Sequence, residues 1–370
     1  MYAVAAKWHR EGQAKFQIGQ AFYNSQHKFV RDLGVLAAIA EKQDRGSLRV
    51  LDALSGCGVR SLRYWHESNA DYLWINEGNP EHSSLLQQNL AQAIAPEHCQ
   101  ITHQDAHRVF FSCYARRDYY DLVDVDCFGS AVPYLSSMLW ATKIGGLMYL
   151  TSTDGRTLTG HLPENSILAY SAIARSHPAA QEQALRLLIG ATQQQAATKG
   201  LGIEPIFSLF TGQTYRLMLR LVSKPRLTLN NYGFLAYCHS CGNYQTFSWR
   251  KLNNISCTCK DPAITVSGAM WLGRLHDPQR IERLIVLADQ RGWQKIVKLL
   301  TSMKHEIDLP PYFYTLQEIG RRGKLDLPKR SHLIAALQKQ GYQAAATHID
   351  PQGIKTNASL ESCIAIAKNI

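Results

Sequence analysis

Three groups of residues in this chain are of the types and spacing that do chemistry. The first is Asp124-Val125-Asp126-Cys127-Phe128-Gly129-Ser130, two acids on alternate positions of an apolar run, the second followed by an aromatic residue and a glycine. Period-two alternation puts Asp124 and Asp126 on one face of a strand and Val125 on the other. An acid at a strand end, with a backbone carbonyl beside it, accepts both hydrogens of an exocyclic amine, and a ring such as Phe128 stacks on the base that carries it. An aryl amine is a poor nucleophile because its lone pair is delocalised. Two acceptors aim that pair, and proximity contributes the rest. The competing reading makes one of the acids a cap of the next helix through Ser130; it suits Asp124 better than Asp126.

The second group is Glu77 and Asp105-Ala106, each at the end of an apolar run. A carboxylate ending the second strand of a sheet matches the two hydroxyls of a ribose. Asp105 with the Ala106 N–H suits an adenine edge, carboxylate to amine and amide to ring nitrogen. Singly, each acid reads as a solvated loop residue. Together with the small-residue turn Ser55-Gly56-Cys57-Gly58 they describe a nucleoside pocket, since glycines let the backbone come close and a helix start supplies free N–H groups. The turn lacks the G-x-G-x-x-G spacing, which disfavours a nicotinamide or flavin.

The third group is Cys238, Cys241, Cys257 and Cys259. A C-x2-C pair followed by a second pair matches a closed, tetrahedral four-cysteine zinc site of structural type, although C-x-C is tighter than usual. A redox C-x-x-C is the runner-up and has no need of the second pair. His239 reads as a loop residue, not a ligand.

Strands must position these residues. Apolar runs at 48–54, 72–77, 100–105, 119–126 and 145–154 alternate with helical stretches from Phe29, from Pro80 to about Ala95, from Pro133 to Lys143, and over 181–199. That alternation predicts a mainly parallel sheet covered on both faces, with ligands at the carboxyl ends of the strands. Glu77, Asp105, Asp126 and Asp154 all fall at such ends. Two further runs around a Gly212–Gln213 turn predict an antiparallel hairpin at the sheet edge and seven strands in all, the methyltransferase variant of the doubly wound α/β sheet. Lys224-Pro225-Arg226 breaks the pattern. It divides the chain into domains 1–223 and 224–370, the second a smaller α+β domain with a zinc ribbon-like site.

Length suits two cores. Net charge is +11, and residues 224–370 hold 20 Lys+Arg against 10 Asp+Glu, so the excess belongs to the second domain. A basic module beside a neutral one predicts a polyanion partner; a solvated basic surface is the bland alternative. No run approaches a membrane span, and MYAVAAKWHREG has no secretory h-region. Nine scattered cysteines argue against disulfides. The expectation is a cytoplasmic protein with no membrane and no obligatory protein partner.

With these residues in view, the chain resembles the tRNA (guanine-26) N2-methyl/dimethyltransferase family. FYN at 22–24 and RDL at 31–33 resemble its FYNP…NRD segment, and LDALSGCGVRSLRY at 51–64 its methyl-donor signature. NE at 76–77, DA at 105–106 and DVDCFGS at 124–130 follow in family order. So do WLGRL (271–275), PPYFYTLQEIG (310–320) and GYQAAATHIDPQGIKTNA (341–358). The resemblance implies that Arg31, Arg60, Glu77, Asp105 and Ala106 contact S-adenosylmethionine. It implies that Asp126 holds guanine N2, that Phe128 stacks on the base, and that the four cysteines bind Zn2+. His348, Lys355 and Thr356 would belong to a tRNA-facing module, with a structural loop as the other reading. Family prolines are replaced by Cys127 and Ala131, and the Asn of NRD by Val30. Losing two prolines is expected to loosen the base pocket.

The expected function is methyl transfer from S-adenosylmethionine to the exocyclic N2 of a tRNA guanine, G26 by resemblance, once or twice. One alternative is a zinc-containing tRNA-binding protein that has lost catalysis. The other is an amino methyltransferase of another RNA or of DNA.

Overall fold

The structure is a computed structural model that describes residues 7–370. Met1–Ala6, part of the stretch read above for a secretory signal, lie outside the described residues. Contacts group the chain into two compact units. One holds the described part of Met1–Thr151 with Met218–Ser223 and Arg283–Ile296; the other holds Ser152–Leu217, Lys224–Glu282 and Val297–Ile370.

A hairpin of β1 (Trp8–Glu11) and β2 (Ala14–Gln17) opens the first unit. The long helix α1 (Lys28–Arg45) follows and ends on Gly46, whose φ of 76° is the left-handed conformation a helix stop needs. Then come β3 (Arg49–Asp52), α2 (Val59–Ser68), β4 (Tyr72–Asn76), α3 (Ser83–Leu90), β5 (Cys99–Thr102), α4 (Ala106–Arg116), β6 (Tyr120–Val125), α5 (Val132–Met138) and β7 (Thr142–Ser152). The pairs β3–β4, β3–β6, β4–β5 and β6–β7 are parallel. Later in the chain stand α6 (Gly155–Leu158), α7 (Pro163–Tyr170), α8 (Ala180–Ala197), β8 (Gly202–Phe210) and β9 (Tyr215–Val222). One seven-stranded sheet results, in the order β5-β4-β3-β6-β7-β9-β8. Its parallel strands read as continuous apolar runs because both faces are covered: Val50, Leu51, Leu73, Ile75, Leu122, Val123 and Met148 are all buried.

Two predicted helices are shorter than expected. The one from Pro80 begins as a 3-10 turn over Pro80–His82 and ends at Leu90. The one near Pro133 stops at Met138, and β7 has already begun at Thr142. Tyr120 pairs with Thr142 and Leu122 with Leu147, so residues 143–146 bulge out of the ladder. Gly146 fits there because a Cβ would stand 2.8 Å from the Lys143 carbonyl.

The second unit adds two small antiparallel sheets. The first has the order β11-β10-β12, from β10 (Tyr232–Cys238), β11 (Tyr244–Phe247) and β12 (Ile264–Trp271). After α9 (Pro278–Gln290) and α10 (Gln294–Glu306) come β13 (Tyr314–Thr315), α11 (Leu316–Gly323), α12 (Arg330–Lys339), β14 (Ala344–Ala346), β15 (Gly353–Thr356) and α13 (Leu360–Ala367). Strands β13-β15-β14 form the second small sheet. No described helix is long and apolar enough to cross a membrane.

Candidate active site

Parallel β3, β4, β5 and β6 all end on the same edge of the sheet, so the loops that follow them share one rim. The loop after β3 is the glycine turn. Gly56 and Gly58 have φ of 55° and 81°, and a Cβ on Gly58 would stand 2.8 Å from Leu86. Space at Gly56 is open, the nearest described atom to a Cβ there being the Phe22 carbonyl oxygen at 3.8 Å. Ser55 closes the turn by donating its N–H and its hydroxyl to the Asn76 carbonyl at 3.0 and 3.1 Å.

Glu77, just past β4, reaches back to this turn. Its Oε2 accepts the Gly56 N–H at 2.7 Å, and its Oε1 the Asn79 N–H at 3.0 Å. Asp105 caps α4, its Oδ1 accepting the His107 N–H at 2.9 Å, and it remains exposed while Ala106 is buried. Asn76 between them is fully buried; its amide donates to the Ala53 and Gln104 carbonyls and its Oδ1 accepts from Thr102 and from Gln104 N–H. This residue splices three rim loops together, and its polar type gave no such signal in the chain.

At the end of β6, Asp124 within the strand and Asp126 just past it are held by a single guanidinium. Arg60, on α2, donates Nε and Nη2 to Asp126 Oδ2 at 3.0 and 2.6 Å, and Nη1 to Asp124 Oδ2 at 3.1 Å. Tyr64, one turn further along α2, donates its hydroxyl to Asp124 Oδ2 at 2.6 Å. Shared facing of Asp124 and Asp126 is therefore as the alternation predicts. The capping reading of Asp124 is corrected: the residue is fully buried, and the cap position before α5 is Ala131, with no side-chain hydrogen bond. Burial disfavours the charged form of Arg60, but the carboxylates of Asp124 and Asp126 overcome this and raise it well above its ordinary value. Asp52, behind the turn, is pushed up to about 7 by burial and then by the charge of Asp124, although Ser61 donates to its Oδ2 at 2.7 Å.

Asp126 keeps 27% of its side chain exposed, and Phe128 is 71% exposed. The Phe128 ring meets Phe22 edge to face, centroids 4.9 Å apart, and Phe22 is itself 61% exposed. Phe22 had no role assigned from the chain. Two adjacent aromatics, Phe22 and Tyr23, ahead of the polar run 24–28 were the available signal. The Cys127 thiol donates to the Thr151 carbonyl at 3.0 Å, and Ala131 is fully buried. Arg31 is 6% exposed and pairs with Glu11 through Nε at 2.7 Å and through Nη2.

In the second unit, Cys238, Cys241, Cys257 and Cys259 bring their Sγ atoms within 4.8 Å of one another, with neighbours at 3.3–3.5 Å. Tetrahedral zinc thiolate needs sulfurs about 3.8 Å apart, so the set fits a closed four-sulfur site. His239 stands aside, its ring bonded to Thr265. A second cluster, His276, Glu306 and His348, also meets the spacing for a metal. Its chemistry does not. The Ser208 N–H donates to His276 Nδ1 at 3.3 Å, which leaves the ring proton on Nε2 where a metal would need the lone pair. Lys355 Nζ lies 3.8 Å from Glu306 Oε2 and 2.7 Å from Glu182 Oε1. His348, Lys355 and Thr356, placed by resemblance in a tRNA-facing module with a structural loop as the other reading, have buried side chains, which suits the structural reading.

Residues 6–368 match the family model described as N2,N2-dimethylguanosine tRNA methyltransferase. A Pyrococcus horikoshii protein named tRNA (guanine(26)-N(2))-dimethyltransferase is 30% identical, covering 98% of each chain. The protein of that name from Thermococcus kodakarensis is 29% identical over the whole of both. The solved structure of Trm1 from Pyrococcus horikoshii with S-adenosyl-L-methionine superposes with a TM-score of 0.84 at 28% identity, covering 97% of this chain and 99% of that one.

Proposed function

The chain belongs to the N2,N2-dimethylguanosine tRNA methyltransferase family, and we propose from that premise which of its residues methylate the exocyclic N2 of guanine 26 in tRNA. S-adenosylmethionine, when bound, supplies an electrophilic methyl group. The rim fits it. Gly56 leaves space where a Cβ would project, Glu77 lies against that turn to meet a ribose diol, and Asp105 with Ala106 suits the adenine. Arg31 is the cation of this site suited to the donor's carboxylate; Arg60, given that role by the resemblance, has Nε, Nη1 and Nη2 engaged by Asp124 and Asp126 instead.

The observation that carries the reading is the clamp of Arg60 on Asp126 beside the exposed Phe128 ring. Two bonds to one carboxylate oxygen fix the Asp126 side chain in rotation. Asp126 then accepts a hydrogen of the guanine amine and orients its lone pair, while Phe128 stacks on the base. Phe22, edge-on to Phe128, supports that ring. The base must leave its stack to arrive there, at a cost of about a few kcal/mol. Residues 224–370, with 20 Lys+Arg against 10 Asp+Glu, offset that cost by gripping tRNA phosphates, so tRNA binding weakens steeply with salt. The four cysteines hold a structural zinc ion in this module.

The test incubates the purified chain alone with labelled S-adenosylmethionine and unmodified tRNA, then maps the product by nuclease digestion and mass spectrometry. Methyl on N2 of guanine 26 is expected, and its loss in Asp126→Ala. No incorporation with tRNA binding intact would leave a tRNA-binding protein without catalysis. Label on DNA or on another RNA in preference would redirect the substrate.

A further inference from the structure

We propose that Glu11 is a positioning residue that braces the donor-site arginine and the aromatic loop as one piece; this rests on the roles given above to Arg31 and Phe22. Glu11 ends β1 and is 3% exposed. Its Oε1 accepts from Arg31 Nε at 2.7 Å and from Arg63 Nη1 at 3.0 Å. Its Oε2 accepts from Arg31 Nη2 and from the Tyr23 hydroxyl at 2.9 Å. Four donors from three residues converge on one buried carboxylate. Arg63 is balanced separately by Glu67 at 2.7 Å and Asp32 at 2.6 Å, so Glu11 is the acid matched to Arg31.

The loop that carries Phe22 has no helix or strand of its own. One end is a turn closed by Ala21 N–H to the Ile18 carbonyl at 3.0 Å, and the other is the 3-10 turn Ser25–His27. Between them, Tyr23 and Asn24 are tied to the brace. The Tyr23 hydroxyl donates to Glu11, and Arg31 Nη2 donates to the Asn24 carbonyl at 3.0 Å. The Arg31 guanidinium also lies over the Tyr23 ring, 5.0 Å from its centroid. Phe22, next in the chain, takes its direction from this arrangement, and so does its edge contact with Phe128. Glu11 therefore has two arms. One sets the guanidinium of Arg31, and the other sets the Phe22 ring through Tyr23.

The arms separate kinetically. Tyr23→Phe removes one hydrogen bond and keeps the ring. It should lower kcat about fivefold, leave KM for S-adenosylmethionine unchanged, and leave the melting temperature at the parent value. Glu11→Gln disturbs both arms. It should lower kcat and also weaken S-adenosylmethionine binding about tenfold, read by equilibrium dialysis on the full chain. A general loosening of the fold would move the melting temperature of both variants and would not split kcat from KM. Parental kcat in Tyr23→Phe, or parental donor affinity in Glu11→Gln, overturns the brace. If Glu11→Gln fails to fold, Tyr23→Phe alone decides. A parent chain that transfers no methyl group overturns the catalytic reading instead, and donor affinity in Glu11→Gln then decides the brace.

Discussion

Two networks of buried charge in this molecule use the same chemistry to different ends. In the first unit, Arg60 gathers Asp124 and Asp126, and the network ends in a side chain 27% exposed beside a ring 71% exposed. In the second, Lys355 bridges Glu182 and Glu306, Arg186 joins Glu182 at 2.8 Å, and every one of these side chains is 3% exposed or less. Both arrangements satisfy carboxylates with fixed cations, and both withdraw charge from water at high cost unless geometry is good. The difference lies in where each network stops. One hands a positioned acceptor to the rim; the other closes on itself and ties α8, α10 and β15 together. Ion pairing alone marks neither a site nor a strut, and exposure of the last member decides which it is.

The sharpest way to break this comparison is to exchange the expected phenotypes. Asp126→Asn should lower kcat by about 100-fold or more while shifting the unfolding midpoint little, because it removes an acceptor at the rim. Lys355→Met should do the reverse. Taking one cation from between buried Glu182 and Glu306 should cost about 3 kcal/mol of stability in denaturant titration, with kcat retained in the folded enzyme. Lost activity without lost stability in Lys355→Met would make the second network part of the site. A smaller effect concerns Asp52, raised to about 7 from an ordinary 3.8. Between those values the unfolded chain has given up this proton and the native chain has kept it, so this residue's contribution to stability falls as pH rises through the window. Asp52→Asn should be flat there and exceed the parent by about 1–3 kcal/mol near pH 8, measured as denaturant midpoints across the pH range.

Much of the architecture was legible in the chain. Alternating apolar runs and helices produce a sheet of seven strands, and Glu77, Asp105 and Asp126 follow the carboxyl ends of its strands. The shared facing of Asp124 and Asp126 followed from period two, because strand geometry is local. What was illegible is long-range. That Arg60 answers both acids depends on how α2 lies against β6, and no spacing along the chain encodes it. Glu11 looks like any surface acid until Arg31, Tyr23 and Arg63 close round it. His348 and Lys355 left two readings open, a tRNA-facing module or a structural loop, and their burial suits the second. Polar residues in a loop-like stretch suggest exposure, but a matched set of buried partners lets them sit inside. The setting of Cys127 was illegible for a related reason: its thiol donates to the Thr151 carbonyl, a contact remote in sequence.

One guanidinium spanning two alternate positions of a strand also acts as a gauge. Arg60 reaches Asp124 and Asp126 only when β6 presents its even-numbered residues to α2. Slipping the strand by one place would offer Val123 and Val125 in their stead, leaving a buried cation with nothing to answer it. The central strand therefore carries its own proofreading. A misthreaded sheet is penalised at the same atoms proposed above to hold the base.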